Sequence, residues 1–199
     1  MKRNPLFINE DDVEKRLHDA INNNDLEVID YFEQFGEDVR VQIRNAATYE
    51  QYLLCGYTDK PSFNQYGWID NDDKIRRSGH EEAIFTEGFI WHCNIRYMQH
   101  PNGKWVASAS YNFGDCGGSS LPGIWNSWYD SKEEAIRETL EHPIELLSKD
   151  GRAKAKKYLP ILKKYVWNAR QAALFADEPA PEVTRPTKAI NAVQLTFDF

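Results

Sequence analysis

Two runs of strict alternation separated by a turn constrain this chain more than any other feature. Phe89, Trp91, Cys93, Ile95 and Tyr97 take every second position, and Trp105, Ala107, Ala109, Tyr111 and Phe113 do the same after Pro101-Asn102-Gly103. A period of two marks half-buried strands, because successive side chains point to opposite faces of a sheet. The turn decides how the runs can pair. A two-residue Asn-Gly loop would match odd positions with even ones and put the two apolar sets on opposite faces. A three-residue loop matches odd with odd, setting Tyr97 opposite Ala107 and Ile95 opposite Ala109. Pro101 suits the first corner of a type I turn and Gly103 the left-handed position of a G1 bulge. The sequence therefore predicts an antiparallel hairpin over 89–113 closed by a three-residue loop.

On either side the apolar period lengthens to that of helices. Val13, Leu17, Ala20 and Ile21 repeat at helical spacing behind Glu10-Asp11-Asp12, acids that suit the positive end of a helix dipole. Asn24 and Glu27 have capping-box spacing ahead of Leu26, Ile29 and Phe32, with Gly36 as the stop. Thr48 and Gln51 repeat the signal before Tyr52-Leu53-Leu54-Cys55 and Gly56. Residues 57–88 show little periodicity and read as a long irregular connection, unusual inside a compact domain and often functional. Ser131 and Glu134 cap a helix carrying Ala135, Ile136 and Leu140, expected to end near Pro143. A longer helix from about 152 to 175 buries Ala155, Leu159, Leu162, Val166, Ala169 and Ala173, with Pro160 predicting a kink or break. Pro179, Pro181 and Pro186 then mark an extended linker.

The expected fold class is thus α+β: N-terminal helices, a central antiparallel sheet around the hairpin, C-terminal helices packed on it and an extended Pro-rich tail. The expected organisation is an acidic helical region over 1–56, an α+β core over 57–176 and a linker with a terminal peptide over 177–199. At 199 residues and 41% apolar content the chain can build such a core, and no apolar run approaches the ~18 residues of a membrane span. Cys55, Cys93 and Cys116 form no CxxC pair, and acidic sequence without an apolar run follows Met1-Lys2-Arg3-Asn4-Pro5. The expectation is a reduced, cytoplasmic chain without a signal peptide and with no membrane partner.

Charge is unevenly distributed. Residues 1–38 carry eleven acids against four bases, a net of −7, whereas 149–170 carry eight bases against Asp150 alone, a net of +7. The basic segment suits a polyanion, and DNA is the partner it suggests. Lys156, Lys163 and Arg170 are seven apart and share one helix face, with Lys157 and Lys164 beside them and Trp167 among them. Bases neutralise phosphates and an exposed indole stacks on unpaired bases. Catalytic signals are sparse. His80-Glu81-Glu82 lacks the second histidine of a zincin, and His92 and Cys93 are neighbours on a strand and so face opposite ways. A hydrolase or nuclease would have to assemble His80, Glu81, His92 and Asp115 in one cleft. No spacing supports a metal site, and no cofactor is expected. The glycines of 114–123 lack the ending of a phosphate loop and read as a sharp turn beside packed Trp125 and Trp128.

Two resemblances add to this reading. The ending Gln194-Leu195-Thr196-Phe197-Asp198-Phe199 resembles the peptide by which bacterial polymerases, repair proteins and mobile-element proteins dock on the DNA sliding clamp. By that resemblance Gln194 bonds at the pocket edge and Leu195, Phe197 and Phe199 supply the apolar anchors, Phe197 standing where leucine is usual. The alternation of Val193, Leu195, Phe197 and Phe199 equally allows an edge strand on the chain's own domain. The hairpin followed by Gly117-Gly118-Ser119-Ser120-Leu121-Pro122, Trp128-Tyr129-Asp130-Ser131 and Glu133-Glu134-Ala135 is similar to small accessory domains of phage- and plasmid-encoded DNA-processing proteins, over residues 89–142. The combined expectation is a non-enzymatic accessory or inhibitor protein of a bacterial mobile element, bound to DNA or to a DNA-associated protein such as the sliding clamp. Alternatives are the hydrolase or nuclease above, and an acidic mimic that uses the 10–38 cluster to block a nucleic-acid enzyme.

Overall fold

The computed structural model describes residues 7–176, apart from the side chains of residues 72–74 and 173–176. Three helices come first: α1 (Glu10–Asn23), α2 (Leu26–Glu33) and α3 (Val39–Leu54). A short α4 (Asn71–Ser78) leads into the strands β1 (His80–Glu87), β2 (Trp91–Gln99), β3 (Trp105–Phe113) and β4 (Gly117–Ser119). Helices α5 (Lys132–Lys149) and α6 (Ala153–Ala176) follow. The four strands form an antiparallel meander in the order β1-β2-β3-β4, so the chain adopts the α+β arrangement its sequence predicts. The Pro-rich linker and terminal peptide lie outside the described residues.

The central hairpin has the predicted register. Tyr97 pairs with Ala107 and Ile95 with Ala109. His100 donates its N–H to Lys104 O at 2.9 Å, and Gly103 takes the positive φ of +83° that closes the three-residue loop. The alternating side chains of β2, with Ala107, Ala109 and Phe113 of β3, face α5 and α6 and meet Ile136, Leu140, Tyr158 and Leu162 in the main core. Phe89 departs from the predicted face: β2 begins at Trp91, and Phe89 stands 95% exposed in the β1–β2 turn beside Gly88 at φ +65°.

The connection expected to be irregular over 57–88 instead contains α4 and β1. Strand β1 lies on the sheet edge with a register shift between Ala83 and Phe85, and only Phe85 along it is buried. An edge strand with one covered residue carries almost no alternation to read. Pro143 does not end its helix as expected, and Pro160 does not break the next one in two. Helix α5 runs through a buried Pro143 to Lys149, and α6 is one helix of 24 residues across Pro160. Packing of Leu140 and Leu147 on one side of Pro143, and of Ala155 and Leu162 around Pro160, outweighs the missing backbone hydrogen bond in each case.

The N-terminal helices pack Val13, Leu17, Phe32, Phe35, Ile43, Ala46 and Ala47 into a second cluster. Their caps differ in detail from the sequence reading. Asn24 ends α1 in the left-handed region, and Asp25 caps α2 by accepting from Val28 N–H. Asp38 starts α3 well before Thr48, which sits mid-helix and donates its hydroxyl to Arg44 O at 2.8 Å. The predicted core residue Ile21 is exposed, as is Leu26. A third cluster of Tyr52, Cys55, Ile75 and Ile124 joins α3 to α4 and to the segment after β4. There Gln51, fully buried, accepts from Ile8 N–H at 2.9 Å and donates to Ile124 O at 3.1 Å.

Candidate functional site

Helix α6 lies antiparallel to β1. Tyr158 donates its hydroxyl to Glu87, and Tyr165, two turns on, donates to Glu82. These contacts, with buried Ala155 and Leu162, fix which side of α6 faces the sheet. At 100° per residue Lys156, Lys163, Trp167 and Arg170 gather within an arc of about 60° on one flank of α6, about 130° round from that buried face. All four are exposed, as is Lys164, and Trp167 retains 57% of its accessible surface. Lys157 does not belong to this group: its Nζ donates to Glu87 at 3.0 Å, and Lys154 also pairs with Glu87 at 3.3 Å. Together these donors, Tyr158 first and Lys157 second, pull the Glu87 carboxyl from an ordinary 4.5 to about 2.

Between α6 and the start of α5 runs an open groove of about 490 Å³. One wall is Lys163, Val166, Trp167 and Arg170 of α6; the other is Ser131, Glu133, Glu134 and Arg137 of α5. Ser131 caps α5 by accepting from Glu134 N–H at 3.1 Å. Arg137 bonds to Glu138 at 2.7 Å and lies 3.9 Å from Glu134, pairs within α5. Among the described residues no ion pair crosses the groove. Lys156, Lys163, Lys164 and Arg170 have no acidic partner within 4.0 Å among those residues. The basic face singled out in the sequence is therefore exposed, and of its members Lys157 alone is engaged by an acid, Glu87, among the described residues.

Beside the groove, Glu82 organises a polar cluster. It accepts from the hydroxyls of Tyr165 and Tyr97, which hold its carboxyl below the usual range. His80 Nε2 lies 3.2 Å away, and Lys132 donates to the Tyr97 hydroxyl at 2.8 Å while standing 3.9 Å from the centre of its ring. Burial, reinforced by Glu82, pushes both tyrosine hydroxyls up, so they act as donors at neutral pH.

The remaining chemical candidates are dispersed. Glu81, one residue from His80 along β1, pairs with Arg96. His92 stands opposite Thr86 and Asn112 in the sheet. Asp115 sits in the β3–β4 turn, 2.9 Å from Arg152. Burial pushes the Cys93 thiol up to about 12, so it is no thiolate nucleophile at neutral pH. Cys116 is the more accessible thiol. Among the described residues no group of three or more His, Cys, Asp or Glu is placed to hold a metal ion, and no helix is long and apolar enough to cross a membrane. Trp125 and Trp128 pack edge-on against Phe7, and Gly114 takes a φ of +91° to turn the chain after β3. In the acidic N-terminal region, Asp25 and Asp38 serve as helix caps, while Glu10, Asp11, Asp12, Glu14 and Asp19 are exposed on α1.

Sequence reasoning missed the α5 wall of the groove and the role of Glu82. The signal for the first was Glu133-Glu134 in the first turn of a capped helix. The second depends on Tyr165, 83 residues away, and has no local signature. No family model matches this chain, and neither a curated protein nor a solved structure matches it.

Proposed function

We propose that this is a non-enzymatic accessory protein that holds single-stranded nucleic acid on the exposed face of α6. The observation that carries the reading is Trp167, an indole left largely in solvent between Lys163 and Arg170, cations without acidic partners among the described residues. An exposed tryptophan flanked by cations is what a strand with splayed bases and charged phosphates requires: stacking is worth ~1–3 kcal/mol per base, and each neutralised phosphate adds a salt-dependent term. Lys156 to Arg170 spans about 21 Å of helix, room for several nucleotides. The dispersal of His80, Glu81, His92 and Asp115 supports a binding role over hydrolysis. The likeness of the terminal peptide 194–199 to clamp-docking peptides supports a second hold on a DNA-bound partner and a role among the accessory proteins of bacterial mobile elements.

The test is fluorescence anisotropy with labelled single and double strands at two salt concentrations. Expected is salt-sensitive binding that prefers single strands, weakened about tenfold or more by Trp167→Ala. Lys163→Glu with Arg170→Glu should flatten the salt dependence. Binding that is absent, or indifferent to salt and to these substitutions, overturns the reading. Deleting 194–199 and measuring retention on immobilised sliding clamp tests the second hold separately.

A further inference from the structure

The acids of the α5 wall pose a problem for a surface that holds phosphates. Glu133 faces a groove whose other wall carries Lys163 and Arg170, yet among the described residues no ion pair bridges the two walls, and Glu133 has no cationic partner. The groove between them is open. Its about 490 Å³ is within the size range of small-ligand pockets. What enters must offer hydrogen-bond donors to a carboxylate on one side and negative charge to cations on the other, and it must be planar to use Trp167.

Building on the reading of α6 as a single-strand surface, we infer that this groove is a base pocket selective for guanine. Trp167 stacks on the base, Lys163 and Arg170 take the adjoining phosphates, and Glu133 accepts from the Watson–Crick edge. The selectivity follows from donor counts. An ionised carboxylate only accepts, through two oxygens side by side. Guanine presents two adjacent donors, N1–H and the N2 amino group, and so engages both oxygens. Adenine and cytosine offer one amino group next to an acceptor. Thymine and uracil offer one N3–H between two carbonyl oxygens, which a carboxylate repels. Splayed single-stranded bases expose this edge; paired bases do not. Glu134, by contrast, is turned toward Arg137 on its own wall and serves the α5 cap through its backbone.

The experiment compares a labelled thymidine twelve-mer with the same strand carrying guanine at every third position, and with a version carrying inosine there. Expected is about tenfold tighter binding of the guanine strand than of the thymidine strand. Inosine, which lacks the N2 amino group, should lose most of that gain. Glu133→Gln should bring the guanine and thymidine strands to the same affinity, whereas Glu141→Gln, exposed on α5 outside the groove, should keep them apart. Thermal melting of both variants checks that the fold is intact. Equal binding of the guanine and thymidine strands, an inosine strand as tight as guanine, or a preference that survives Glu133→Gln each overturns the inference while leaving α6 as a single-strand surface. No salt-sensitive binding of any strand overturns that surface and the pocket together.

Discussion

Gly56 occupies a position that two constraints close to every other residue. Its φ of +89° lies in the left-handed region, and an added Cβ would stand 2.7 Å from Asn102 N and 3.0 Å from Pro101 C. The β2–β3 turn comes this close because it caps α3: Asn102 donates its N–H to Cys55 O at 3.0 Å and its side-chain amide to Leu54 O at 2.8 Å. Gly56→Ala should therefore cost about 3 kcal/mol, conformational strain plus overlap with a rigid backbone. Gly103→Ala, at φ +83° with open space around it, should cost only about 1–2 kcal/mol. Urea titrations of the two variants check the ranking. Glu87 makes a prediction in pH. Its carboxyl lies near 2 in the folded chain against an ordinary 4.5, so its contribution is present above pH 4.5 and disappears as pH falls toward 2. Glu87→Gln should flatten the fall in melting temperature over that window. The stop at Gly56 was readable from the sequence, because glycine after an apolar helical run is a local signal. Its crowding was not, since the turn that presses on it lies more than forty residues away.

At the scale of elements, the prolines separate local rule from tertiary outcome. Pro160 is exposed in the middle of α6, where it removes one backbone hydrogen bond and buries nothing in return. Pro160→Ala should raise stability by about 1–3 kcal/mol, measured by denaturant titration, and should leave the packing of Leu162 unchanged. Pro143 is buried in α5 beside Leu140 and Leu147, so the same substitution there trades a recovered hydrogen bond against lost contacts. Local propensity placed a helix end near Pro143 and a kink or break at Pro160, and with packing against the sheet both helices run on through their prolines. The register of the β2–β3 hairpin was readable to the residue because periodicity and turn chemistry agree there, although the strand begins at Trp91 and not at Phe89. Strand β1 was not: with three glutamates, a bulge and a single buried side chain, its strand character comes from pairing with β2 and not from its own composition. The basic face of α6 was readable as a pattern of sevens, but the loss of Lys157 to Glu87 depends on where the sheet edge falls.

For the whole molecule, Gln51 is the joint. Its carbonyl takes the Ile8 N–H and its amide the Ile124 carbonyl, so one buried side chain ties the segment ahead of α1, α3 and the stretch after β4. Gln51→Ala strands both backbone groups and should cost about 2–4 kcal/mol. If the joint also couples the N-terminal helices to the sheet, unfolding followed by tryptophan fluorescence and by circular dichroism should coincide in the parent and separate in the variant. The fold class could be read at this scale because helix and strand periods occupy different stretches of the chain; the joint could not, because beside Thr48 the sequence offers Gln51 as a local capping residue and its partners lie 43 and 73 residues away. The two tyrosines that seat α6 on β1 have a mechanical consequence. Because Tyr158 grips Glu87 and Tyr165 grips Glu82 along one antiparallel line, a tug directed down the helix loads both grips in shear at once. A tug away from the sheet peels them off one after the other. A pull along α6 is thus resisted far better than a lift away from the sheet.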